Sequence, residues 1–136
     1  MTSYWTYFNP HPQGKRVNDC VKRAFVAATG KSYHEIKLEV NRIKKITKEK
    51  DFNSKKNYKY YVEKILKGVK ISFPARLGEP RMTGKKFVKL YSKGIYILNL
   101  AHHLVTVVDG QILDTWDSSD KCVYNCWKIM PEYGVE

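Results

Sequence analysis

Three side chains in the sequence have the types and the order that nucleophilic acyl chemistry requires: Cys20, His103 and Asp114. In that chemistry a thiolate attacks a carbonyl carbon, a histidine moves the proton, and an acid holds the imidazole in one orientation. Cys20 stands in "VNDCVKRAFVAATGKSY", and the other two stand in "HHLVTVVDGQILDTWD". The chemistry therefore depends on whether the fold brings these two segments together.

The segment after Asp19 predicts a short buried helix with Cys20 in its first turn. Gly30 stands where a helix C-cap is expected, and apolar residues recur before it at helical spacing: Val21, Ala24, Phe25 and Ala28. Unpaired N–H groups and the positive end of the helix dipole favour a thiolate at such a position. The place of Cys20 is typical of an activated nucleophile, and a buried structural cysteine is the alternative.

The dipeptide Asp109-Gly110 lies between two β-branched runs and predicts a two-residue hairpin turn. In that register facing residues are placed symmetrically about the turn. His103 and Asp114 then project from one face, one diagonal apart, at the same end of the sheet. This placement favours an imidazole oriented by an acid.

A second histidine leaves an alternative open. His102 lies opposite Asp117 in the same register, so these two residues form a coherent competing pair. A shift of one residue in the pairing would reverse the choice between the two histidines. We prefer His103 because it directly precedes the apolar strand.

Helical patterns occupy most of the chain before residue 92. Ser32 and Glu35 have the spacing of a capping box, and an amphipathic run follows them. The run "NYKYYVEKILKGV" predicts a third helix that ends at Gly68, and Thr83 is the expected cap of a short fourth helix. Residues 1–18, with their aromatic, Pro and Gly residues, indicate an extended lead-in.

Strand-like runs dominate the last third of the chain: "IYILNL", "HLVTVVDGQILDTWD" and "KCVYNCWKIM", with "VKISFP" as an earlier short strand. Helices followed by an antiparallel sheet are typical of the α+β fold class. We expect a single domain over residues 1–136. Its helical part, about 19–91, should pack on a sheet part at about 94–130.

The charge of the chain is strongly positive, with 25 Lys and Arg against 13 Asp and Glu and a net charge of +12. Residues 37–70 hold twelve Lys or Arg against four acids. This segment predicts a polyanionic partner, either nucleic acid or an acidic protein. Because the sequence has neither an apolar run long enough for a membrane span nor a signal peptide, we expect a cytoplasmic protein.

The other cysteines, Cys122 and Cys126, are four residues apart on a predicted strand. At about 3.3 Å per residue their side chains stand too far apart to bind one ion, so we interpret them as small apolar residues and expect no metal. The acyl chemistry predicted for Cys20 needs no cofactor.

The order of a cysteine at a helix start, a helical insert, a histidine at a strand start and an acid on the next strand resembles the papain-like cysteine peptidases in a minimal form. The motifs "NDCVKRA" and "HHLVTVVDGQILDTWD" are most similar to the bacteriocin-processing and small bacterial or phage-encoded members. The resemblance implies a papain-like fold with Cys20 as nucleophile, His103 as base and later acid, and Asp114 as the orienting residue. It also implies hydrolysis of a peptide, isopeptide or related acyl bond in a peptide or protein substrate, in the host cytoplasm if the chain is phage-encoded.

Members of that family commonly supply a Gln before the cysteine, and its side chain helps to bind the oxyanion. The implied counterpart is Gln13, seven positions before Cys20, with the Cys20 backbone N–H as the second donor. Asn18 is the competing candidate. The chain departs from the family at residues 21–23, "VKR", where bulky or Gly-rich residues are common. The alternative function is a non-enzymatic basic module of the same fold that binds nucleic acid or a host protein.

Overall fold

The computed structural model describes residues 3–130, which form four α-helices and a six-stranded sheet. The strands are β1 (Trp5–Tyr7), β2 (Val69–Ser72), β3 (Ile95–Leu100), β4 (His103–Val108), β5 (Gln111–Asp114) and β6 (Val123–Ile129). The helices are α1 (Cys20–Thr29), α2 (Tyr33–Thr47), α3 (Lys55–Tyr60) and α4 (Gly84–Leu90). The α+β class is confirmed. The expected domain bounds at residues 1 and 136 lie outside the described residues.

The sheet has the strand order β1-β5-β4-β3-β6-β2, and its pairs are antiparallel except for β1 with β5. The expectation of an antiparallel sheet was wrong at this edge, where the extended lead-in forms β1. Trp5 pairs with Ile112 and Tyr7 pairs with Asp114 in a parallel ladder. The lead-in takes this place because the free edge of β5 offers backbone groups that need partners.

The hairpin between β4 and β5 has the predicted register. Thr106 faces Leu113 and Val108 faces Gln111, symmetrically about the two turn residues. Asp109 has φ of 45° and Gly110 has φ of 78°, as a tight turn with two left-handed residues requires. The turn therefore fixes which residues share the far end of the hairpin.

The sheet separates two apolar clusters. Along β3, Ile95 and Ile97 pack with the helices α1, α2 and α3, whereas Tyr96 and Leu98 pack with α4. This alternation is the period of two that a strand buried on both faces must show. Helix α1 packs on β4 within the first cluster and also contacts β5.

Three of the four helices have the predicted cap residue at one end. Gly30 ends α1 in a left-handed conformation, and the side chains of Ser32 and Thr83 accept hydrogen bonds at the starts of α2 and α4. In residues 3–130 no helix combines the length and apolarity that crossing a membrane requires.

The third helix ends earlier than predicted, because α3 continues only as a π-helical turn over Tyr61–Ile65. The left-handed residue after it is Lys67, with φ of 56°, and not Gly68. Gly68 has a different role: a Cβ placed there would lie 2.9 Å from Val62 Cγ1 and 3.0 Å from Trp127 Cβ. Both neighbours are buried, so the glycine permits close packing of this segment on the sheet.

We expect Gly68→Ala to destabilise the fold by about 1–3 kcal/mol, because neither buried neighbour can move aside freely. Urea denaturation followed by circular dichroism measures the change. The matched control is Lys67→Ala, which keeps a Cβ at the left-handed position and should change the free energy of unfolding by less than about 0.5 kcal/mol. An unchanged stability of Gly68→Ala would contradict the packing role.

Candidate active site

The structure brings Cys20 and His103 into direct contact. Cys20 is the first residue of α1, and His103 is the first residue of β4. The His103 side chain and the backbone N–H of Leu104 lie beside the Cys20 thiol, close enough to lower its pKa. Both contacts place a positive charge or a positive dipole beside the sulfur, where each stabilises a thiolate.

His103 is held in turn by Asp114, the last residue of β5. Its Nε2 lies 2.5 Å from Asp114 Oδ2, and the Asp114 side chain is fully buried. With Nε2 engaged there, Nδ1 is the ring nitrogen left for Cys20. The Trp116 ring covers the imidazole, with 4.9 Å between the ring centroids. The imidazole therefore has one well-defined orientation between thiol and acid.

The second oxygen of the Asp114 carboxylate is also occupied. Oδ1 accepts a hydrogen bond from the Thr115 backbone N–H, at 2.7 Å, and forms an ion pair with the Arg23 guanidinium, whose Nε lies 3.0 Å away. Both oxygens are thus fixed by donors from different parts of the chain. A buried carboxylate requires this kind of compensation.

Sequence reasoning missed Arg23 as a site residue. Its guanidinium is almost fully buried and contacts a second acid, since Nη1 lies 2.7 Å from Asp19 Oδ1. The Tyr33 hydroxyl donates to Asp19 Oδ2 at 2.9 Å. The signal that could have revealed this network is the i, i+4 spacing of Asp19 and Arg23 on a helix that is otherwise apolar on its inner face.

The N-terminus of α1 has no side-chain cap, although Asp19 stands at the N-cap position. Asp residues commonly accept a hydrogen bond from the first-turn N–H groups. Here the carboxylate of Asp19 is directed to Arg23 and Tyr33 instead. The N–H groups that begin at Cys20 therefore lack a side-chain acceptor from Asp19.

The environment shifts the pKa values of both reacting groups. Burial raises the pKa of the Cys20 thiol, but the hydrogen bonds from His103 and Leu104 and the charges of His103 and Arg23 bring it below its ordinary value. Burial lowers the pKa of His103, but the hydrogen bonds and charges of Asp114 and Cys20 raise it to about 9. Between these two pKa values a thiolate–imidazolium pair is favoured.

A cavity of about 360 Å³ opens beside the Cys20 sulfur. Its lining is mostly polar, and it comes from the start of α1, the α2–α3 connection and the β3–β4 turn: Asn18, Asp51, Asn53, Lys55, Asn99 and His102. A substrate group placed there would meet amide and charged side chains next to the nucleophile. The cavity therefore has the position and the polarity of a substrate site.

The two oxyanion candidates lie in different places. Gln13 is exposed in the turn before α1, where its backbone N–H donates to His11 Nδ1 at 3.1 Å, and it does not belong to the lining of the Cys20 cavity. Asn18, the competing candidate, lines that cavity, and its carbonyl oxygen accepts from Asn53 Nδ2 at 3.2 Å. The position of Asn18 suits an oxyanion donor better than that of Gln13.

The competing histidine pair is not assembled. His102 is an exposed turn residue with φ of 54° and lines the cavity without joining Asp114. Asp117 is exposed and accepts a hydrogen bond from the Ser119 backbone N–H at 2.9 Å. Over residues 3–130 the ion pairs do not include one between these two side chains.

All three cysteines are free thiols. Cys126 is buried in the core, and burial raises its pKa to about 12. Within the described part of the chain, no group of three or more His, Cys, Asp or Glu residues is arranged to hold a metal ion. Comparison of the chain with protein-family models, with curated proteins and with solved structures finds no match.

The shifted pKa values predict the pH dependence of alkylation at Cys20. Its rate with iodoacetamide should rise as pH passes through a pKa below that of an ordinary thiol, and the imidazolium should be lost as pH rises through about 9. Mass spectrometry after timed labelling measures each cysteine separately. Cys126, which is buried, is the internal control and should stay unmodified.

The same measurement distinguishes the histidines. His103→Ala should remove the low-pH reactivity of Cys20, because it removes the hydrogen bond and the positive charge next to the sulfur. His102→Ala should leave the profile unchanged. A Cys20 that behaves as an ordinary thiol in the unmodified protein would contradict the activated thiolate.

Proposed function

We propose that the chain is a cysteine-dependent hydrolase of papain-like type that cleaves a peptide, isopeptide or related acyl bond. The observation that carries this proposal is the chain of contacts from Cys20, at the start of a helix, through His103 to the fully buried Asp114. These are three groups in the geometric roles of nucleophile, base and orienting acid. A helix start set against one end of a sheet also supports the papain-like fold.

The reaction follows from the proton positions. The Cys20 thiolate attacks the carbonyl carbon, and the carbonyl electron pair moves to its oxygen to form a tetrahedral intermediate. The imidazolium of His103 gives its proton to the leaving nitrogen as the carbon–nitrogen bond breaks. A water molecule then attacks the acyl carbon and transfers a proton to His103. The carbon–sulfur bond breaks, which releases the carboxylic acid and restores the Cys20 thiolate beside the His103 imidazolium. Asp114 holds the ring throughout.

The developing oxyanion needs donors near the nucleophile. The backbone N–H of Cys20 is one, because it begins α1 and receives no side-chain cap. The Asn18 side chain, at the edge of the same cavity, is our proposed second donor. Gln13, which the family resemblance implies for this role, would have to move with its turn to reach the site. A phage or bacterial source and a cytoplasmic substrate stay predictions.

The proposal predicts covalent labelling by electrophiles made for thiol hydrolases. A peptidyl epoxide or vinyl sulfone should label one site, Cys20, and the labelling should be lost in Cys20→Ser and reduced by at least about a hundredfold in His103→Ala. Intact-mass and peptide mass spectrometry measure the site and the rate. Cys122→Ser is the matched control, because it removes a cysteine outside the cavity.

A positive labelling result leads to a substrate search with mixed peptides, in which new termini are detected by mass spectrometry. Cys20→Ala should abolish any cleavage found. If neither labelling nor cleavage depends on Cys20, the hydrolase proposal is wrong.

A second candidate function, binding of a polyanion, is favoured by one surface feature. The lysine groove lies at the end of α2 and is lined by Asn41, Lys44, Lys45, Lys48, Glu49 and Lys50. Its one acid, Glu49, lies 3.8 Å from Lys56 outside the groove. Few negative charges of the protein therefore offset the positive charge of the lysine groove. Such a surface suits nucleic-acid phosphates or an acidic protein.

Binding of nucleic acid by the lysine groove should depend steeply on salt. The double variant Lys45→Glu/Lys50→Glu should weaken retention of a single-stranded DNA by tenfold or more and lower the salt slope by about 1.4, as expected when two phosphate contacts to a single strand are lost. Fluorescence anisotropy at several salt concentrations measures both quantities. The control is Lys93→Glu/Lys121→Glu, which makes the same charge change at exposed residues outside the groove. Equal losses in the two variants would show that net charge alone attracts the DNA.

A further inference from the structure

The geometry points to Arg23 as a positioning residue that serves both halves of the proposed site at once. One of its nitrogens holds the Asp114 carboxylate for His103, and another draws the Asp19 carboxylate away from the N-terminus of α1. This inference rests on the proposed function, because it assigns a role in preparing Cys20 and its oxyanion donors for reaction. Arg23 does not line the cavity, and its guanidinium is paired with Asp19 and Asp114.

The first role concerns the imidazole. Arg23 Nε lies 3.0 Å from Asp114 Oδ1, on the opposite side of the carboxylate from His103. The carboxylate cannot rotate without breaking this contact or the one with the Thr115 N–H. Arg23 therefore keeps Oδ2 directed at His103 Nε2, and the imidazole keeps its other nitrogen directed at Cys20.

The second role concerns the helix N-terminus. Asp19 stands one residue before Cys20, where its carboxylate would cap the helix and place a negative charge beside the sulfur. Arg23 Nη1 binds this carboxylate at 2.7 Å and the Tyr33 hydroxyl binds its other oxygen. The first-turn N–H groups are left for the oxyanion of the substrate. The charge that would oppose thiolate formation is neutralised by the same contact.

An arginine suits both roles because its nitrogens form a rigid planar fork. The two acids are held by different nitrogens of one guanidinium, Nε and Nη1, so their separation is fixed. A lysine in the same position has one ammonium on a flexible stem and satisfies one acid at a time.

The test measures the pH profile of Cys20 alkylation in four variants: Arg23→Gln, Arg23→Lys, Asp19→Asn and Asp19→Asn/Arg23→Gln. In Arg23→Gln the loss of positive charge and the release of Asp19 should both raise the pKa of Cys20. We expect the alkylation rate at pH 6 to fall about tenfold, which corresponds to a shift of about one pH unit. Adding Asp19→Asn should restore part of that rate, because the released carboxylate is then absent.

Arg23→Lys keeps the positive charge, so we expect this variant to fold even if Arg23→Gln does not. It should show a smaller loss of rate than Arg23→Gln. Asp19→Asn alone should keep or increase the rate, since Arg23 still holds Asp114. A purely structural role predicts a different result: lower melting temperatures with the wild-type pH profile in every variant. That result, or the absence of rescue in the double variant, would overturn the inference.

The alkylation readout separates this inference from the proposed function. If the wild-type protein has an activated Cys20 but cleaves no substrate, the alkylation profiles of the variants still test the role of Arg23 in preparing the thiolate. If the wild-type Cys20 reacts as an ordinary thiol, the proposed function fails first, and the inference fails with it. Where a substrate is found, Arg23→Lys should lower kcat more than it raises KM, because a positioning residue acts after binding.

Discussion

The complete burial of the Asp114 carboxylate is the constraint on which the site depends. A buried charge is costly unless it is paired and its oxygens have partners. The partners of Asp114 come from three separate elements or turns: Arg23 of α1, His103 of β4 and the Thr115 N–H after β5. Satisfying one acid therefore fixes the start of a helix relative to the end of a hairpin. Cys20 takes its position from that arrangement, because it begins the same helix.

Stability alone gives little reason for such a cluster. Buried ion pairs often contribute less than well-packed apolar residues of the same volume, and the chain has two apolar clusters that stabilise the fold without them. The polar cluster also shifts the pKa values of Cys20 and His103 in opposite directions, toward the charged form of each. Two groups whose environments favour a charged pair beside a polar cavity are typical of a reactive site. The cost of burying Asp114 and Arg23 is accordingly easier to explain by chemistry than by folding.

Local rules made part of this arrangement predictable from the sequence. A two-residue turn leaves a hairpin one register, so Asp109-Gly110 sufficed to place His103 and Asp114 at one end of the sheet. Caps and apolar spacing likewise fixed the bounds of α1. What the sequence could not show depends on tertiary packing. The pairing of β1 and the burial of Arg23 each need a neighbour that lies far along the chain. An arginine on a helix is ordinarily exposed. The i, i+4 spacing indicates Asp19 as a partner of Arg23, but nothing local indicates that Asp114 lies beside it.

The N-terminal strand β1 holds the main chain of Asp114, the same residue whose side chain is buried. The backbone carbonyl of Asp114 accepts from the Phe8 N–H at 2.8 Å and from Trp5 Nε1 at 3.0 Å. The main chain of Asp114 is thereby held by β1 and its continuation, while the side chain is held by α1 and β4. Edge strands of three residues are weak by themselves, and this one gains its order from the parallel ladder with β5. The lead-in before the nucleophile therefore supports the orienting acid directly, which explains why the sheet is mixed at this edge and antiparallel elsewhere.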